Sequence, residues 1–447
     1  MVRICVLGAS MIWSKTLLAD LMSVFTEPLE IRFIDLLAEP AERCCRWGRA
    51  VSERMGRADR FEAYTDRRKA LEGAQAVMIT LSTGGLDAME QDIAIPEKYG
   101  VYATVGDTAG PGGWSRSIRN IPVFMEFARD FDELCPQAFI ANYTNPMSAL
   151  TQTMASLCRN PVAGFCHANF EILDLLQHIC DLPDWSALAV EVAGMNHYTW
   201  VIRFSVNGKD GYTLLREKIG AGSMRDVCPQ HSLDRLGISS GNDLFCEIYD
   251  AYKYVCYPAD RHISEFLPYA LANHPAITAG KDLNGDDVEM AGDWNIIRTA
   301  VSARRKGAAN AAENMLDTSG DIQKSRETGS DMIRAYLYNK PFSDVVNTLN
   351  IGQIQDLPRG VAVETMCLVD GLGVHPVAVP GIPPQLVEMM RPQANFVQWI
   401  VNGMINRDRN MVISALHHDP SCSGLAPLKV ARMAGELWEA NKTFINW

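Results

Sequence analysis

Two short apolar segments near the N-terminus, joined through a glycine turn and a helix, constrain the fold more than any other feature of the sequence. Residues 4–7 are apolar and are followed by Gly8, residues 13–25 have a helical pattern, and residues 31–34 form a second, largely apolar segment that ends at Asp35. Short apolar runs of this kind are typical of parallel strands buried on both faces. The pattern therefore predicts a β-α-β unit, from which open sheets with helices on both sides are built.

The alternation of strands and helices continues to about residue 187. Further strands are predicted at residues 61–64, 76–81, 139–143 and 162–166. This pattern predicts an α/β fold with a doubly wound sheet over residues 1–187, whose ligands bind beyond the carboxyl ends of the strands. From residue 188 a few strands precede mostly helical segments. We expect residues 188–447 to form an α+β, mostly helical domain that carries substrate, metal and subunit contacts, in a homodimer or homotetramer.

The turn at Gly8 predicts a dinucleotide site. A glycine between a strand and a helix lets the backbone approach a pyrophosphate at the helix N-terminus. The other two glycines of the G-x-G-x-x-G fingerprint are replaced by Ser10 and Trp13. Asp35 is placed to bind both ribose hydroxyls and to repel a 2′-phosphate, which favours NAD over NADP. The alternative is that Gly8 ends a strand and Asp35 caps a helix. The predicted cofactor-binding residues are Gly8, Ser10, Met11, Asp35, Ser82 and Asn142.

Two further segments carry residues suited to ligand contacts. Residues 105–113 are dense in glycine and precede a helix with Arg116, so the backbone there can approach a ligand closely. Asn142 and Asn145 follow a predicted strand and can hold sugar hydroxyls or the nicotinamide ribose. The alternatives are an ordinary loop in the first case and turn chemistry before Pro146 in the second.

A cysteine-histidine pair occurs at the end of one predicted strand, and an asparagine-histidine pair occurs at a turn. The first pair is Cys166-His167 and the second is Asn196-His197. A thiolate and a neutral imidazole are good ligands for a divalent metal, and two protein ligands leave positions for substrate or water. Burial of Cys166 or a histidine in the core is the alternative reading. Residues 252–266 add tyrosines, acids and bases of the kind needed for acid/base catalysis, although a solvated helix face would look similar.

Composition excludes several classes of protein. Hydrophobic residues make up 47% and charged residues 21% of the 447 residues, as in globular proteins. A formal net charge of −12 disfavours nucleic acid and anionic membranes as partners. No apolar stretch reaches the about 20 residues of a membrane span, and the N-terminal apolar run is too short for a signal peptide, so we expect a cytoplasmic protein. The 12 cysteines are scattered and are expected to be free thiols.

Taken in order, these motifs resemble the NAD- and manganese-dependent glycosidases of glycoside hydrolase family four. The motifs are Gly8-Ala9-Ser10, Gly106-Asp107-Thr108, Gly110-Pro111-Gly112-Gly113, Asn142-Tyr143-Thr144-Asn145-Pro146, Gly164-Phe165-Cys166-His167, Gly194-Met195-Asn196-His197, Asp260-Arg261-His262 and the stretch from Leu357 to Thr365. The resemblance covers essentially the whole chain and implies a Rossmann-like domain similar to lactate and malate dehydrogenases. It also implies hydrolysis without the usual carboxylate pair: oxidation of the sugar at C3, elimination after loss of the C2 proton, addition of water and re-reduction.

The resemblance also implies roles for individual residues. Cys166 and His197 match the metal ligands, and His167 is the expected general acid. The base is expected at Tyr257, with Tyr254 and Asp260 as alternatives. The substrate-binding residues are Asn145, Arg116, Asn196, Arg261 and His262.

The implied substrate is a small acidic glycoside, an α-galacturonide or a related uronide, because Arg261 beside His262 suits a sugar carboxylate. Ala168-Asn169 departs from the characterised branches, so a neutral or sulfonated sugar stays open. Two other classes also stay open: an NAD-dependent dehydrogenase of a sugar or 2-hydroxy acid, and an NAD-binding regulator without catalysis.

Overall fold

A mixed sheet of twelve strands organises the part of the chain that the computed structural model describes, which is residues 1–229, 231–233, 239–267, 269–270, 322–445 and 447. The strands in this part, in chain order, are β1 (Val2–Leu7), β2 (Leu29–Ile34), β3 (Arg60–Tyr64), β4 (Ala76–Ile79), β5 (Phe139–Asn142), β6 (Val162–Gly164), β7 (Leu188–Met195), β8 (Tyr198–Val206), β9 (Lys209–Asp210), β10 (His231–Leu233), β11 (Ser239–Gly241), β12 (Phe342–Leu349), β13 (Ala362–Asp370) and β14 (Gly373–Pro376). Strands β10 and β11 form a separate hairpin.

Helices cover both faces of the sheet. Within the described residues they are α1 (Met11–Val24), α2 (Ala38–Arg54), α3 (Arg67–Leu71), α4 (Gly85–Glu97), α5 (Gly110–Leu134), α6 (Met147–Leu157), α7 (Ala168–Ile179), α8 (Gly211–Ile219), α9 (Asp243–Tyr252), α10 (Asp260–Ile263), α11 (Gly329–Tyr338), α12 (Pro384–Asn406), α13 (Arg409–His417) and α14 (Pro427–Asn441). None of these helices has the length and apolar character needed to cross a membrane.

The first six strands are parallel and lie in the order β3-β2-β1-β4-β5-β6. This is the strand order of dinucleotide-binding folds, so the predicted doubly wound sheet is confirmed. Its strands are buried on both faces: Ile4 and Val6 pack into one core, whereas Cys5 and Leu7 pack into the other. The first helix begins at Met11, two residues before the start that the sequence pattern predicted.

The sheet continues with antiparallel strands beyond β6. Strand β12 pairs with β6 through Asn347 and Gly164, and β13, β7, β8 and β9 follow in that order. Strand β7 begins at Leu188, where the sequence pattern changes. The placement of a domain boundary between residues 187 and 188 stays a prediction.

Helix α5 ties the C-terminal helices to the parallel sheet. It is buried along most of its length and packs against α12 and α14. Its Arg119 and the Asp92 carboxylate of α4 are both fully buried and are joined by two N–O contacts of 2.9 and 2.7 Å. Arg119 Nε also donates to the carbonyl of Thr83 at 2.8 Å. The ion pair therefore fixes the segment after β4, at the ligand-binding edge of the sheet.

Candidate active site

The turn after β1 has the geometry that only glycine adopts comfortably. Gly8 has φ of +93°, and a Cβ there would lie 2.8 Å from the carbonyl oxygen of Thr80 on the neighbouring chain segment. The carboxylate of Asp35, at the end of β2, accepts from the backbone N–H of Ala9 at 3.1 Å and from that of Leu37 at 3.2 Å. Asp35 thus lies beside the turn as predicted, and it also satisfies an amide at the start of α2, which was the alternative reading.

The remaining predicted cofactor residues lie along the same edge in different environments. Ser10 is the N-cap of α1 and makes no side-chain capping bond, and Ser82 is exposed after β4. Asn142 is fully buried, and its Nδ2 donates to the Thr144 carbonyl and to Thr151 Oγ1, both at 3.2 Å. Its side chain therefore stabilises the turn after β5. The side chain of Met11 lies outside the described part.

Asp107, in the glycine-dense loop before α5, is the centre of a buried polar network. Thr108 Oγ1 donates to its Oδ1 at 2.7 Å, and Asn145 Nδ2 donates to its Oδ2 at 3.0 Å. Burial by itself would raise the pKa of Asp107, but the charge of Arg116 and the neighbouring imidazoles of His197 and His262 outweigh it, and the pKa is lowered. Asp107 is therefore ionised.

The loop that carries Asp107 is held by a second acid. Glu265 Oε1 accepts from the backbone N–H of Val105 at 2.7 Å, from that of Gly106 at 2.8 Å and from Thr104 Oγ1 at 3.3 Å. Burial raises the pKa of Glu265 to about 8. This contact joins the loop to the segment that contains His262.

His197 occupies the tight turn between β7 and β8. Its φ of +62° lies in the left-handed region, and its Nδ1 is 3.0 Å from Thr108 Oγ1. The ring centroid of His262 lies 4.2 Å away, and that of Tyr257 lies 6.0 Å away. Burial lowers the pKa of His197, so its imidazole is neutral.

Cys166, two residues after β6, packs against a small apolar cluster of Ala168, Tyr257 and Ala259. Burial raises the pKa of its thiol well above the usual value, the charge of Glu364 raises it further, and the Ala168 amide and Asn196 lower it. The contact of Asn196 with the thiol does not have hydrogen-bond geometry. Among the described residues, both polar atoms of the Asn196 side chain are buried without a hydrogen-bond partner. Cys166 thus borders the cluster that contains Tyr257, and the ring of His197 stacks on that of Tyr257.

His167, at the start of α7, borders a cavity of about 180 Å³. Its Nε2 lies 3.5 Å from Glu171 Oε1, one turn further along the helix. The described lining residues of the cavity are His167, Phe170, Glu171, Ser325, Arg326 and Glu327. The predicted acid therefore lies next to Cys166 in sequence and opens onto a cleft.

The predicted substrate-binding residues converge on Asp107 and His197 from several elements. Arg116 Nε and Asn145 Oδ1 are buried and have no hydrogen-bond partner among the described residues. His262 contacts His197, and Arg261, the residue before it, is partly exposed. Unsatisfied polar atoms buried at one place are typical of a site that a polar ligand completes.

The candidates for the base lie in different places. Tyr257 is buried in the cluster that Cys166 packs against, with its ring centroid 5.6 Å from that of His262. Tyr254 packs edge-on against Tyr212. Asp260 accepts from the backbone N–H groups of Leu244 and Phe245 at 2.8 and 2.9 Å, so it caps the start of α9, and burial raises its pKa to about 7.

Four residues at the site were not singled out from the sequence: Asp107, Thr108, Glu265 and Glu364. All four lie within segments that the motifs marked, but no local pattern distinguished the first three from their neighbours. Glu364 lies in β13, where it is the acid that interrupts the uncharged run from Ala362 to Val369. That interruption is the signal that could have identified it. No group of three or more His, Cys, Asp or Glu side chains arranged to hold a metal occurs in the described ranges.

Known proteins match the chain over almost its whole length. The model for family 4 glycosyl hydrolases matches residues 3–182, and the model for the C-terminal domain of that family matches residues 192–422. An α-galactosidase of Bacillus subtilis is 26% identical, with 99% of this chain and 98% of that protein covered. An α-galacturonidase of the same organism is 28% identical, with 92% and 91% covered.

Among solved structures, the 6-phospho-β-glucosidase of Thermotoga maritima with manganese, NAD⁺ and glucose-6-phosphate has a TM-score of 0.78. It is 18% identical, and 99% of each chain is covered. At this level of identity the likeness establishes the fold that the two chains share.

Proposed function

Because the chain belongs to family 4 of the glycosyl hydrolases, we propose that it hydrolyses a small acidic glycoside, an α-galacturonide or a related uronide, with NAD and manganese or another divalent metal as cofactors. The family inferred from the motifs is confirmed, and the chain is a glycoside hydrolase. The proposal concerns its substrate, its cofactors and the residues that use them.

The observation that carries the proposal is that Cys166 packs against the cluster that contains Tyr257 and that His197 stacks on the same tyrosine. A thiolate and a neutral imidazole suit a divalent metal of intermediate softness, and burial keeps the His197 imidazole neutral. The unsatisfied amide of Asn196 is close to the same thiol, which supports a polar occupant at this point. We assign Cys166 and His197 as the metal ligands, with the remaining positions left to substrate or water.

The NAD site is assigned to the edge formed by β1, β2 and β4. The close approach of Gly8 to Thr80 supports a pyrophosphate at the start of α1, where it binds in folds of this type. Asp35 lies at the end of β2 and would accept from the ribose hydroxyls. Its negative charge would repel a 2′-phosphate, which favours NAD over NADP.

When bound, NAD supplies reversible hydride transfer and the metal supplies Lewis-acid polarisation of the sugar oxygens. The sugar would give a hydride from C3 to NAD⁺, lose its aglycone by elimination after loss of the C2 proton, add water and take the hydride back. We assign removal of the C2 proton to Tyr257, which is buried in the cluster that Cys166 packs against and stacks on His197. His167 gives a proton to the departing oxygen at the mouth of the cleft.

The charges around the site support an acidic sugar. Burial raises the pKa of Glu265 to about 8 and that of Glu364 to about 7, so at neutral pH Glu265 is mostly protonated and Glu364 is about half protonated. Arg116 and Arg261 provide guanidinium groups that can bind a carboxylate in a bidentate manner. The α-galacturonidase relative is consistent with this choice, whereas the α-galactosidase relative makes a neutral galactoside the second candidate.

We also propose that the enzyme is a cytoplasmic homodimer or homotetramer. All twelve cysteines are free thiols, as expected in a reducing compartment. Light scattering coupled to size exclusion gives the mass of the particle directly. A monomer would contradict the oligomeric part of the proposal and leave the rest intact.

The test is a screen of aryl glycosides of uronic, neutral and phosphorylated sugars with NAD, Mn²⁺ and a reductant. We expect uronide hydrolysis that requires both NAD and metal and forms no net NADH. Stoichiometric NADH from a free sugar or hydroxy acid would instead identify a dehydrogenase. Full activity after complete removal of NAD and metal would refute the cofactor assignment.

The ligand assignment is tested with Cys166→Ala, and Cys180→Ala, at the far end of α7, serves as the matched control. We expect the Cys166 variant to lose Mn²⁺ affinity and turnover while its circular dichroism spectrum and melting temperature stay near those of the wild type. The control should keep both properties. Wild-type turnover with bound metal in Cys166→Ala would show that the ligand is another residue.

A further inference from the structure

The hydroxyl of Thr108 lies between the carboxylate of Asp107 and the imidazole of His197. Thr108 Oγ1 is 2.7 Å from Asp107 Oδ1 and 3.0 Å from His197 Nδ1, and all three side chains lie within the buried network. A hydroxyl has one hydrogen to donate and can accept through its lone pairs. The two contacts therefore cannot both be donated by Thr108.

The surroundings of Asp107 decide which contact receives the hydroxyl hydrogen. Its Oδ2 accepts from Asn145 Nδ2 at 3.0 Å, and the nearby guanidinium of Arg116 compensates its charge. An ionised carboxylate can only accept hydrogen bonds. Thr108 must then donate to Asp107, and His197 Nδ1 must carry a hydrogen that it donates to Thr108. His197 Nε2 is left with the lone pair.

We infer that Thr108 and Asp107 are positioning residues that hold His197 in the Nδ1–H tautomer and so present Nε2 to a divalent metal. Histidine ligands are commonly oriented in this way by a hydrogen bond from their second nitrogen. Here that hydrogen bond goes to the hydroxyl of Thr108, which in turn donates to Asp107. The metal at Nε2 is the part of the inference that rests on the proposed function. The tautomer itself follows from the hydrogen bonds.

The backbone holds both Thr108 and His197 in place. Glu265 fixes the loop at Val105 and Gly106, three and two residues before Thr108. His197 is held with φ of +62°, a conformation that non-glycine residues adopt rarely. The imidazole of His197 therefore has little freedom to turn, and its hydrogen bond to the Thr108 hydroxyl determines which nitrogen is protonated.

The inference is tested with Thr108→Val, which removes the hydroxyl at nearly constant shape, and with Thr108→Ser, which keeps it. Binding of Mn²⁺ to each purified full-length protein is followed by electron paramagnetic resonance. We expect Thr108→Val to bind Mn²⁺ about 10- to 100-fold more weakly than the wild type, the usual effect of losing such a supporting contact. Thr108→Ser should stay within about threefold of the wild type. Equal affinity in all three proteins would overturn the inference.

A second measurement is made on the metal-free wild type. Nitrogen-15 NMR of histidine-labelled, metal-free wild type reports the tautomer of His197, with His197→Gln used to assign its signals. A hydrogen on Nδ1 supports the inference, and a hydrogen on Nε2 overturns it. If instead the wild type bound no divalent metal although His197 was in the Nδ1–H form, the proposed function would fail and the positioning role would stand. A merely structural Thr108 would lower the melting temperature of Thr108→Val without changing Mn²⁺ affinity.

Discussion

Glu364 should make the stability of this enzyme depend on pH. Its Oε2 is 2.7 Å from Thr199 Oγ1 and its Oε1 accepts from Asn347 Nδ2 at 3.2 Å, in a fully buried position between strands β8, β12 and β13. Thr199 Oγ1 also lies 3.1 Å from the Met195 carbonyl and has one hydrogen for two acceptors. A protonated Glu364 resolves this conflict, because it donates to Thr199, which then donates to Met195.

The size of the effect follows from the pKa. Burial raises the pKa of Glu364 from 4.5 to about 7, and at about 1.4 kcal/mol per tenfold change this corresponds to about 3 kcal/mol. Because the folded state holds the proton more tightly than the unfolded chain, this contribution is fully present below pH 4.5. It is lost as the pH rises through about 7. Between pH 5 and pH 8 the wild type should lose about 2 to 3 kcal/mol from this group.

The measurement compares wild type with Glu364→Gln, which resembles the protonated acid and does not titrate. Urea unfolding followed by circular dichroism at pH 5 and pH 8 gives the change in free energy of unfolding for each protein. The other buried acids are present in both proteins, so their effects cancel in the difference. If the difference in free energy of unfolding between the two proteins is the same at pH 5 and at pH 8, the reasoning is refuted.

A second variant separates the proton from the hydrogen bonds. Relative to Glu364→Gln, Glu364→Leu strands the buried Nδ2 of Asn347 and should cost about 1 to 3 kcal/mol at both pH values. Thr199 keeps the Met195 carbonyl as acceptor and is not stranded. If the free energy of unfolding of Glu364→Leu falls between pH 5 and pH 8 as much as that of the wild type, the titrating group is another residue.

Two further predictions concern residues at the end of strand β1 and at the start of helix α9. Gly8→Ala forces a Cβ to 2.8 Å from the Thr80 carbonyl at φ of +93°, so we expect a lower melting temperature and weaker binding in an NAD titration. Unchanged NAD affinity would place the cofactor elsewhere. Asp260→Asn keeps an acceptor at the start of α9, so we expect a loss of about 1 kcal/mol in stability and a kcat within a few-fold of the wild type. A kcat lowered more than about 100-fold would identify Asp260, rather than Tyr257, as the base.

The parallel part of the fold could be predicted from the sequence because its signals are local. Each buried strand is a short apolar run, and Gly8 and Asp35 follow their strands directly in the chain. The carboxyl ends of parallel strands lie at one edge of a sheet, so residues that follow different strands could be assigned to a common cleft before the structure was known.

The supporting residues of the site could not be predicted, because their partners are distant in sequence. Thr108 meets His197 across 89 residues, and Glu364 meets Thr199 across 165. The second contact requires β13 to pair with β7, through a return of the chain that no local pattern specifies. Asp260 shows the same limit in reverse. Its neighbouring titratable residues suggested catalysis, but its carboxylate accepts from the start of helix α9, 15 and 16 residues earlier in the chain.

The acids around the site differ in charge because their partners differ. Asp107 lies near Arg116 and two imidazoles, and its pKa is lowered, whereas Glu265 and Glu364 form hydrogen bonds with uncharged N–H and O–H groups, and their pKa values rise. A buried carboxyl group stays ionised only where a cation compensates it. Of these three acids, the ionised one is thus Asp107, which accepts from Thr108, the neighbour of His197. Near neutral pH Glu265 is mostly protonated and Glu364 is about half protonated, so a sugar that carries its own carboxylate meets less repulsion than it would from two ionised acids. The same difference in partners therefore supports both the tautomer of the proposed metal ligand and the preference for an acidic substrate.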